Sequence, residues 1–192
     1  IDASGNFTPN GVGNYTITYC YTNINNCENC DSLIITVIEP DPIEAGQADT
    51  ICIDEGIHLL TAEMPQGGIW LGNTAIIDAQ TGAFDPLIAT GGWHTVTYQS
   101  GSGTCFVSDT AGVYVRDLAF VDAGADQFAC DTDADFAING FSPTGGDWSG
   151  TGIVNSTGIF SPIGVVPNTY PITYHYIDPV TFCDTTRVKN VT

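Results

Sequence analysis

The chain has 192 residues, of which 22 are acidic and 3 are lysine or arginine, so its formal net charge is −19. Nucleic acids and anionic membrane surfaces are therefore poor partners, because both are bound mainly through basic side chains, of which this chain has only three. No apolar run approaches the roughly 20 residues of a membrane-spanning helix, and no signal peptide is visible at the start of the sequence. We therefore expect no insertion into a membrane.

A repeat dominates the sequence. Phe7, Phe84 and Phe160 each lie two residues after a glycine and two before a proline, and Trp70 and Trp148 recur at nearly the same interval. A period of about 77 residues without helical periodicity is typical of tandem domains. The sequence predicts the C-terminal half of a first module at 1–38, a second module at 39–117 and a third at 118–192, as an internal part of a longer secreted polypeptide.

The sequence of the modules predicts β-strands. Tyr15–Tyr21 and His94–Tyr98 alternate side chains with the period of a half-buried strand, and glycine turns such as Gly101–Gly103 separate the strands. Seven or so short strands per module predict an all-β fold of tandem immunoglobulin-like antiparallel β-sandwich modules, with Trp70 and Trp148 in the cores. A small closed barrel is the alternative for each module.

Four of the seven cysteines share the register of the repeat. Cys52 and Cys105 are 53 residues apart, and so are Cys130 and Cys183. The duplicated spacing predicts one disulfide within each full module, Cys52–Cys105 and Cys130–Cys183. Each would contribute about 4 kcal/mol in the chain-entropy account. Disulfides imply an oxidising compartment, so a secreted or cell-surface location is expected.

The other three cysteines lie in the first half-module. Cys27 and Cys30 have the spacing of a redox or zinc pair, but a hairpin disulfide suits a secreted chain better. Cys30 precedes an aspartate and a hydroxyl residue, as Cys183 does. We therefore expect Cys30 to be the cysteine of the repeat register and Cys20 to pair with Cys27.

The sequence shows no constellation typical of an enzyme. His58, His94 and His175 have no metal-ligand spacing, and His94 and His175 are expected at the surface of their strands. No cofactor is predicted. One alternative stays open, because the alternating carboxylates of Asp131, Asp133 and Asp135 resemble the start of a calcium loop, while a solvated acidic turn is the plainer interpretation.

The repeated motifs resemble a known class of proteins. Trp148-x-Gly-x-Gly-Ile, Gly158-x-Phe-x-Pro and Ile172-Thr-Tyr, followed by a cysteine, resemble the immunoglobulin-like repeats of giant cell-surface proteins in Bacteroidetes. These include gliding-motility adhesins of the SprB type, exported by the type IX secretion system. The second module departs from the motif after Trp70, where Leu71 and Gly72 follow.

This resemblance implies a function. It implies a stalk segment of a large secreted adhesin for gliding motility or surface attachment, with neighbouring repeats of the same polypeptide and the secretion machinery as partners. The alternative is a carbohydrate-binding β-sandwich module. That module would bind surface glycans through exposed aromatic side chains on one face.

The resemblance also implies O-glycosylation. The Bacteroidetes motif is an aspartate, then serine or threonine, then a small or aliphatic residue. It predicts glycans that shield strand edges, although aspartate followed by threonine also begins a strand well without modification. Asparagine sequons at Asn6, Asn14, Asn155 and Asn190 compete only in a eukaryotic host. The O-glycosylation sites predicted by the motif are Ser32, Thr50, Thr110 and Thr185.

Overall fold

The computed structural model describes residues 1–2, 4–102 and 105–192. It is 47% strand and 2% helix, which confirms the all-β class. Gly103, part of the predicted turn Gly101–Gly103, lies outside the described residues. No helix in the described part of the chain is long and apolar enough to cross a membrane. The first strands are β1 (Gly13–Thr22), β2 (Glu28–Val37), β3 (Asp49–Cys52), β4 (His58–Leu59), β5 (Ile69–Leu71), β6 (Ile76–Asp78) and β7 (Ala83–Phe84).

A short helix and two further strands complete the second module, and the strands of the third module follow. Residues Pro86–Ala89 form the helix α1. The remaining strands are β8 (Gly92–Ser102), β9 (Cys105–Arg116), β10 (Phe136–Ala137), β11 (Asp147–Gly150), β12 (Ile153–Asn155), β13 (Ile159–Phe160), β14 (Tyr170–Ile177) and β15 (Asp184–Val191).

Each full module consists of two small sheets. In the second module one sheet has the order β3-β9-β8-β5 and the other β4-β7-β6. In the third module the corresponding sheets are β11-β14-β15 and β10-β13-β12. Two sheets packed over a shared apolar interior form the predicted sandwich.

The second module contains one parallel pair, which the antiparallel prediction did not include. Asp49 lies opposite Val113 and Cys52 opposite Arg116, so β3 and β9 run in the same direction. The rest of the module connects the two strands, which leaves ample chain for the crossover that parallel pairing requires. In the third module an isolated bridge of the same kind joins Gln127 to Val191. Both pairs bring the first segment of a module, which we call the entering segment, alongside its last strand, the closing strand.

The two full modules have separate cores. Around Trp70 the buried cluster extends from Ala45 to Val115, and around Trp148 it extends from Val121 to Val191. Both tryptophans are buried, as predicted, with 4% and 3% of their surface exposed. In the two full modules the glycine two residues before the motif phenylalanine is needed, because a Cβ would lie 2.7 Å from Cδ1 of Trp70 at Gly82 and 2.6 Å from Cδ1 of Trp148 at Gly158.

The first half-module is a two-stranded hairpin. Strands β1 and β2 pair from Gly13 opposite Val37 to Thr22 opposite Glu28. Tyr19 is 73% exposed, whereas its equivalent in the second module, Tyr98, is 3% exposed. The hairpin therefore has the strands of a module but not its buried core in the described residues.

The helix α1 was not predicted. Asp85 caps it by accepting a hydrogen bond from the backbone N–H of Leu87, 2.9 Å away, and Pro86 occupies the first helical position. An aspartate followed by proline is a recognised helix start, so the signal was present in the motif.

Candidate functional site: the junction between the modules

Cys52 lies at the end of the second module from which the chain continues into the third. It is the last residue of β3 and pairs with Arg116, the last residue of β9. Its backbone N–H donates to a carboxylate oxygen of Glu55, and the N–H of Glu55 donates to the carbonyl of Cys52. This turn holds the cysteine where the chain leaves the module.

Cys183 lies at the opposite end of the third module. It directly precedes β15, in the turn that joins β14 to β15, and 1% of its surface is exposed. The backbone N–H of Asp178 donates to the carbonyl of Cys183, and the N–H of Phe182 donates to the carbonyl of Asp178. The turn therefore presents Cys183 toward the preceding module.

A disulfide joins Cys52 to Cys183 across the junction. The two Cα atoms are 5.7 Å apart, within the usual range of about 4.4–6.8 Å. Beside it, the guanidinium of Arg116 donates a hydrogen bond to the backbone carbonyl of Thr181. One covalent bond and one charge-assisted hydrogen bond thus connect consecutive modules.

The predicted pairing within the second module, Cys52–Cys105, is wrong. Cys105 begins β9, and Cys52 lies beside Arg116 at the other end of that strand. The strand has 12 residues, so at about 3.3 Å per residue its ends are roughly 36 Å apart. No disulfide spans that distance.

The predicted Cys130–Cys183 pairing is wrong for the same reason. Ala129, next to Cys130, donates its backbone N–H to the carbonyl of Thr192, beyond the end of β15, whereas Cys183 precedes the start of β15. The two cysteines are therefore separated by about 30 Å. Equal spacings arise in a tandem repeat whichever cysteines are bonded, so the spacing of 53 did not identify partners.

The hairpin cysteines are also paired differently from the prediction. Cys20 is bonded to Cys30, not to Cys27. Cys20 and Cys30 lie directly opposite each other in the β1–β2 register. Cys27 lies in the turn, where its backbone N–H donates to the side-chain oxygen of Asn23. Turn geometry therefore brings Cys30 to Cys20 and leaves Cys27 exposed.

The strand registers show which positions of the three hairpins are equivalent. Each hairpin carries one tyrosine of the repeated strand motif, and the residue opposite that tyrosine marks the same place on the second strand. The residues opposite Tyr19, Tyr98 and Tyr174 are Asp31, Asp109 and Arg187, in that order.

These equivalent positions identify the cysteine of the repeat. Cys27, Cys105 and Cys183 each lie four positions before the residue that faces the motif tyrosine. Cys30 lies only one position before it. The expectation that Cys30 is the register cysteine is therefore wrong, and Cys27 takes that place.

A group of potential metal ligands was found in the hairpin. In the described part of the chain, ligand atoms of Cys20, Glu28 and Cys30 lie within 4.8 Å of one another. Both sulfur atoms belong to the disulfide, so neither is the thiolate that a zinc site requires.

The unpaired cysteines lie at the ends of the modules. Cys27, Cys105 and Cys130 are exposed thiols. Cys105 borders a groove of about 410 Å³ that includes the linker residues 38–41, and Cys130 borders one of about 550 Å³ lined by Tyr170 and Val191. Each groove therefore marks a place where one module meets its neighbour or ends.

The acidic turn acts as a cap. A carboxylate oxygen of Asp133 accepts the backbone N–H of Cys130 at 2.8 Å, the same contact that Glu55 makes to Cys52. Asp131 and Asp135 are exposed, and neither converges with Asp133 into a cluster of ligands in the described residues. The cap made by Asp133 fits the acidic-turn interpretation, and the calcium alternative stays a prediction.

The histidines have local partners. Nε2 of His58 lies 2.9 Å from a carboxylate oxygen of Asp49, and Nε2 of His175 lies 3.1 Å from one of Asp184. His94 contacts the carbonyl of Thr90. In the described residues no hydroxyl or thiol nucleophile is hydrogen-bonded to any of these rings.

One of the predicted glycosylation sites is contradicted. Thr185 is 4% exposed, and its hydroxyl has no hydrogen-bond partner in the described part of the chain. The register explains why, since Val188, not Thr185, is equivalent to Thr110 and Ser32. Thr50, Thr110 and Ser32 are exposed and stay predicted sites, although Ser32 exchanges a hydrogen bond with Thr18.

Hydrogen bonds fix the edges of each module. The carboxylate of Asp109 accepts the backbone N–H of Ala45, which lowers its pKa, as does the N–H of Thr110. Asp126 accepts the backbone and side-chain N–H groups of Asn190, and these bonds lower its pKa. Each carboxylate ties an entering segment to a closing strand.

The comparisons with known proteins identify no relative by sequence. No known family and no curated protein matches this chain. Solved structures that resemble it include human protocadherin-24 EC1-2, with a TM-score of 0.31, 11% identity and coverage of 76% of this chain and 92% of the other. Mouse protocadherin-24 EC1-3 has a TM-score of 0.32 at 11% identity, covering 81% of this chain and 64% of the other.

An enzyme also appears among the structural likenesses. An endo-fucoidan hydrolase of glycoside hydrolase family 107 has a TM-score of 0.28 at 10% identity, with coverage of 95% of this chain and 34% of the hydrolase. At TM-scores this low, none of these likenesses bears on the function of this chain.

Proposed function

We propose that the chain is a structural spacer, a stalk segment of a large secreted cell-surface adhesin that serves gliding motility or surface attachment. The disulfide between Cys52 and Cys183 carries this proposal. It joins two modules that each have their own core, so it connects two separately packed units covalently. A covalent connection between neighbours is what a spacer under tension needs.

The position of the bond determines how tension would pass along the chain. Cys52 and Cys183 are 131 residues apart in sequence. A pull on the two ends of the chain reaches Cys52, crosses the disulfide and continues from Cys183. Most of both modules therefore lies outside the loaded path and is protected from forced unfolding.

Single-molecule stretching between residues 1 and 192 tests this role. Reduction of the Cys52–Cys183 bond should release about 45 nm of additional chain, because 131 residues extend by roughly 3.5 Å each. The Cys52→Ser variant should show the same length without reductant. An unchanged contour length after reduction would refute the spacer mechanism.

The disulfides and the net charge of the chain also support a spacer role outside the cytoplasm. The two disulfides are typical of proteins from oxidising compartments outside the cytoplasm. The net charge of −19 makes neighbouring modules repel one another, which favours an extended arrangement. We propose export by the type IX system of Bacteroidetes and a non-enzymatic role.

A replacement experiment in the source bacterium tests the adhesin assignment. Deleting residues 39–192 from the parent polypeptide should reduce attachment or gliding. Replacing them with two unrelated β-sandwich modules of similar length should restore it, because a spacer acts through its length. Failure of the replacement to restore attachment would show that this segment itself binds a ligand.

A second candidate function is carbohydrate binding, favoured by one observation. Trp93 is 68% exposed, and the centroid of its ring lies 5.1 Å from that of Tyr114. The two rings together form an aromatic surface of the kind on which sugar rings stack. A glycan array tests this candidate. Specific binding by the wild type that is lost in Trp93→Ala would support carbohydrate recognition over a spacer.

A further inference from the structure

The cysteines of the repeat fall into two positions. Cys52 and Cys130 are one repeat apart, and each lies at the end of the segment that runs alongside the closing strand. Both are held by the same turn, in which an acidic side chain three residues later accepts the cysteine N–H. We call these the strand-end cysteines.

The second position is the start of the closing strand, at its first residue or in the turn just before it. Cys27, Cys105 and Cys183 occupy it, one in each repeat. Cys27 precedes β2, Cys105 begins β9 and Cys183 precedes β15. We call these the hairpin cysteines. They lie at the end of the module opposite to the strand-end cysteines.

The structure contains one bond between the two positions, and it runs from one module to the next. Strand-end Cys52 of the second module is bonded to hairpin Cys183 of the third. Cys130 is held by the same turn as Cys52, and Cys105 has the same place in the repeat as Cys183, but Cys130 and Cys105 are exposed thiols. Their partners would have to come from the following and the preceding module.

We propose that Cys52–Cys183 is one member of a series of disulfides, in which each strand-end cysteine bonds to the hairpin cysteine of the next module of the same kind. Cys130 is then the attachment point for a following module, and Cys105 for a preceding one. This proposal rests on the spacer function above. It extends the single clamp into overlapping clamps along the whole array.

The chemistry balances as thiol oxidation by a disulfide. Two cysteine thiols lose two protons and two electrons and form one S–S bond. An oxidising disulfide, such as that of an extracytoplasmic oxidoreductase or glutathione disulfide, accepts them and becomes two thiols. Exposure of Cys105 and Cys130 leaves both accessible to such an oxidant.

An extended chain tests the proposal. Arg187 is equivalent to Asp109 in the hairpin registers. Five residues after these positions lie Thr192 and Tyr114, so Thr192 is equivalent to Tyr114. Residues 115–192 can therefore be appended directly after Thr192 in register. In the appended copy, exposed Val180 is replaced by leucine and exposed Asp131 by glutamate, so that the peptides of both its cysteines are heavier by one methylene and can be distinguished from the original ones.

The extended protein, oxidised with glutathione disulfide, is mapped by peptide mass under non-reducing conditions. We expect Cys130 to be bonded to the Cys183 equivalent of the appended copy, while Cys52 stays bonded to the original Cys183. Cys27 and Cys105 should remain alkylatable. In the matched control, where the appended hairpin cysteine is serine, Cys130 should become alkylatable as well.

Several results would overturn the proposal. One is that Cys130 of the extended protein can still be alkylated after oxidation. Another is that Cys130 is bonded to Cys27 or Cys105 of the same chain. As a second measurement that does not depend on the appended copy, the original chain is oxidised at high concentration. We expect oligomers in which Cys130 of one molecule is bonded to Cys27 or Cys105 of another. The Cys130→Ser variant should form at least tenfold fewer oligomers. Predominantly Cys130–Cys130 links, or no oligomers, would contradict the proposal. Neither map depends on adhesion, so failure here leaves the stalk function to its own tests.

Discussion

The phenol oxygen of Tyr174 accepts the backbone N–H of Gly146 at 2.8 Å and donates to the carbonyl of Pro143 at 2.6 Å. Tyr98 makes the same pair of contacts in the second module, to Gly68 and Pro65. Glycine is required there, because a Cβ at Gly146 would lie 2.7 Å from Cζ of Tyr174. One tyrosine thus holds the loop that leads into the tryptophan strand of each module.

Tyr174→Phe should lower the free energy of unfolding of the third module by about 1–3 kcal/mol, because it leaves a part-buried N–H and carbonyl without partners. Thermal unfolding followed by circular dichroism measures the change. Tyr19→Phe is the matched control, since Tyr19 is 73% exposed and should have no measurable effect. Equal stability of both variants would refute this role of the hydroxyl.

Trp148→Ala should destabilise the third module by about 3–5 kcal/mol, because it removes a side chain that packs against Phe141 and Tyr174. The core of the second module does not include Trp148, so its transition should stay in place. Calorimetry should show one lowered transition and one unchanged. Trp93→Ala, on the exposed face, is the control, and a joint shift of both transitions in Trp148→Ala would show that the cores are coupled.

Thr185→Val should raise the stability of the third module by about 1 kcal/mol, because valine keeps the shape of the side chain while removing an unpaired polar group. The hydroxyl of Thr185 is buried without a hydrogen-bond partner in the described residues. Denaturant unfolding measures the gain. Thr186→Val, at an exposed neighbouring position, should change little, and a loss of stability in Thr185→Val would show that the hydroxyl is satisfied.

Asp126→Asn should remove a pH-dependent part of the stability of the third module. The hydrogen bonds from Asn190, with a smaller contribution from the charge of Lys189, lower the pKa of Asp126 below its ordinary value of 3.8. The stabilisation is therefore fully present above that value and is lost as the pH falls through the folded pKa. Unfolding measured between about pH 2 and pH 6 should show the difference from wild type shrinking toward acid. Asp135→Asn is the control, and a constant difference in Asp126→Asn would contradict the assignment.

The module fold could be predicted because its signals are local. Alternation of side chains along each strand, the glycine before each motif phenylalanine and the position of Trp70 and Trp148 all depend on residues close in sequence. The tyrosine contact could be predicted only in part. Pro65 and Pro143 share the period of the repeat with the glycines that follow them, which marks this loop as a repeated feature. Nothing local, however, indicates that Tyr98 reaches them.

The disulfide pairing could not be predicted because a tandem repeat gives equal spacings within and between modules. Cys52 is 53 residues from Cys105 and 131 from Cys183, and both distances fit the same period. Only the direction of β9, which carries Cys105 away from Cys52, separates the two possibilities. The choice of Cys30 failed in a similar way, because the aspartates after Cys30 and Cys183 occupy different places in their hairpins.

Proteolytic mapping of the unreduced protein tests the central claim, that a disulfide joins consecutive modules. Free thiols are first blocked by alkylation, and the linked peptides are then identified by mass before and after reduction. We predict a peptide containing Cys52 bonded to one containing Cys183, with Cys105 and Cys130 alkylated. Recovery of Cys52–Cys105 and Cys130–Cys183 peptides would contradict it, and would return each disulfide to the interior of its own module.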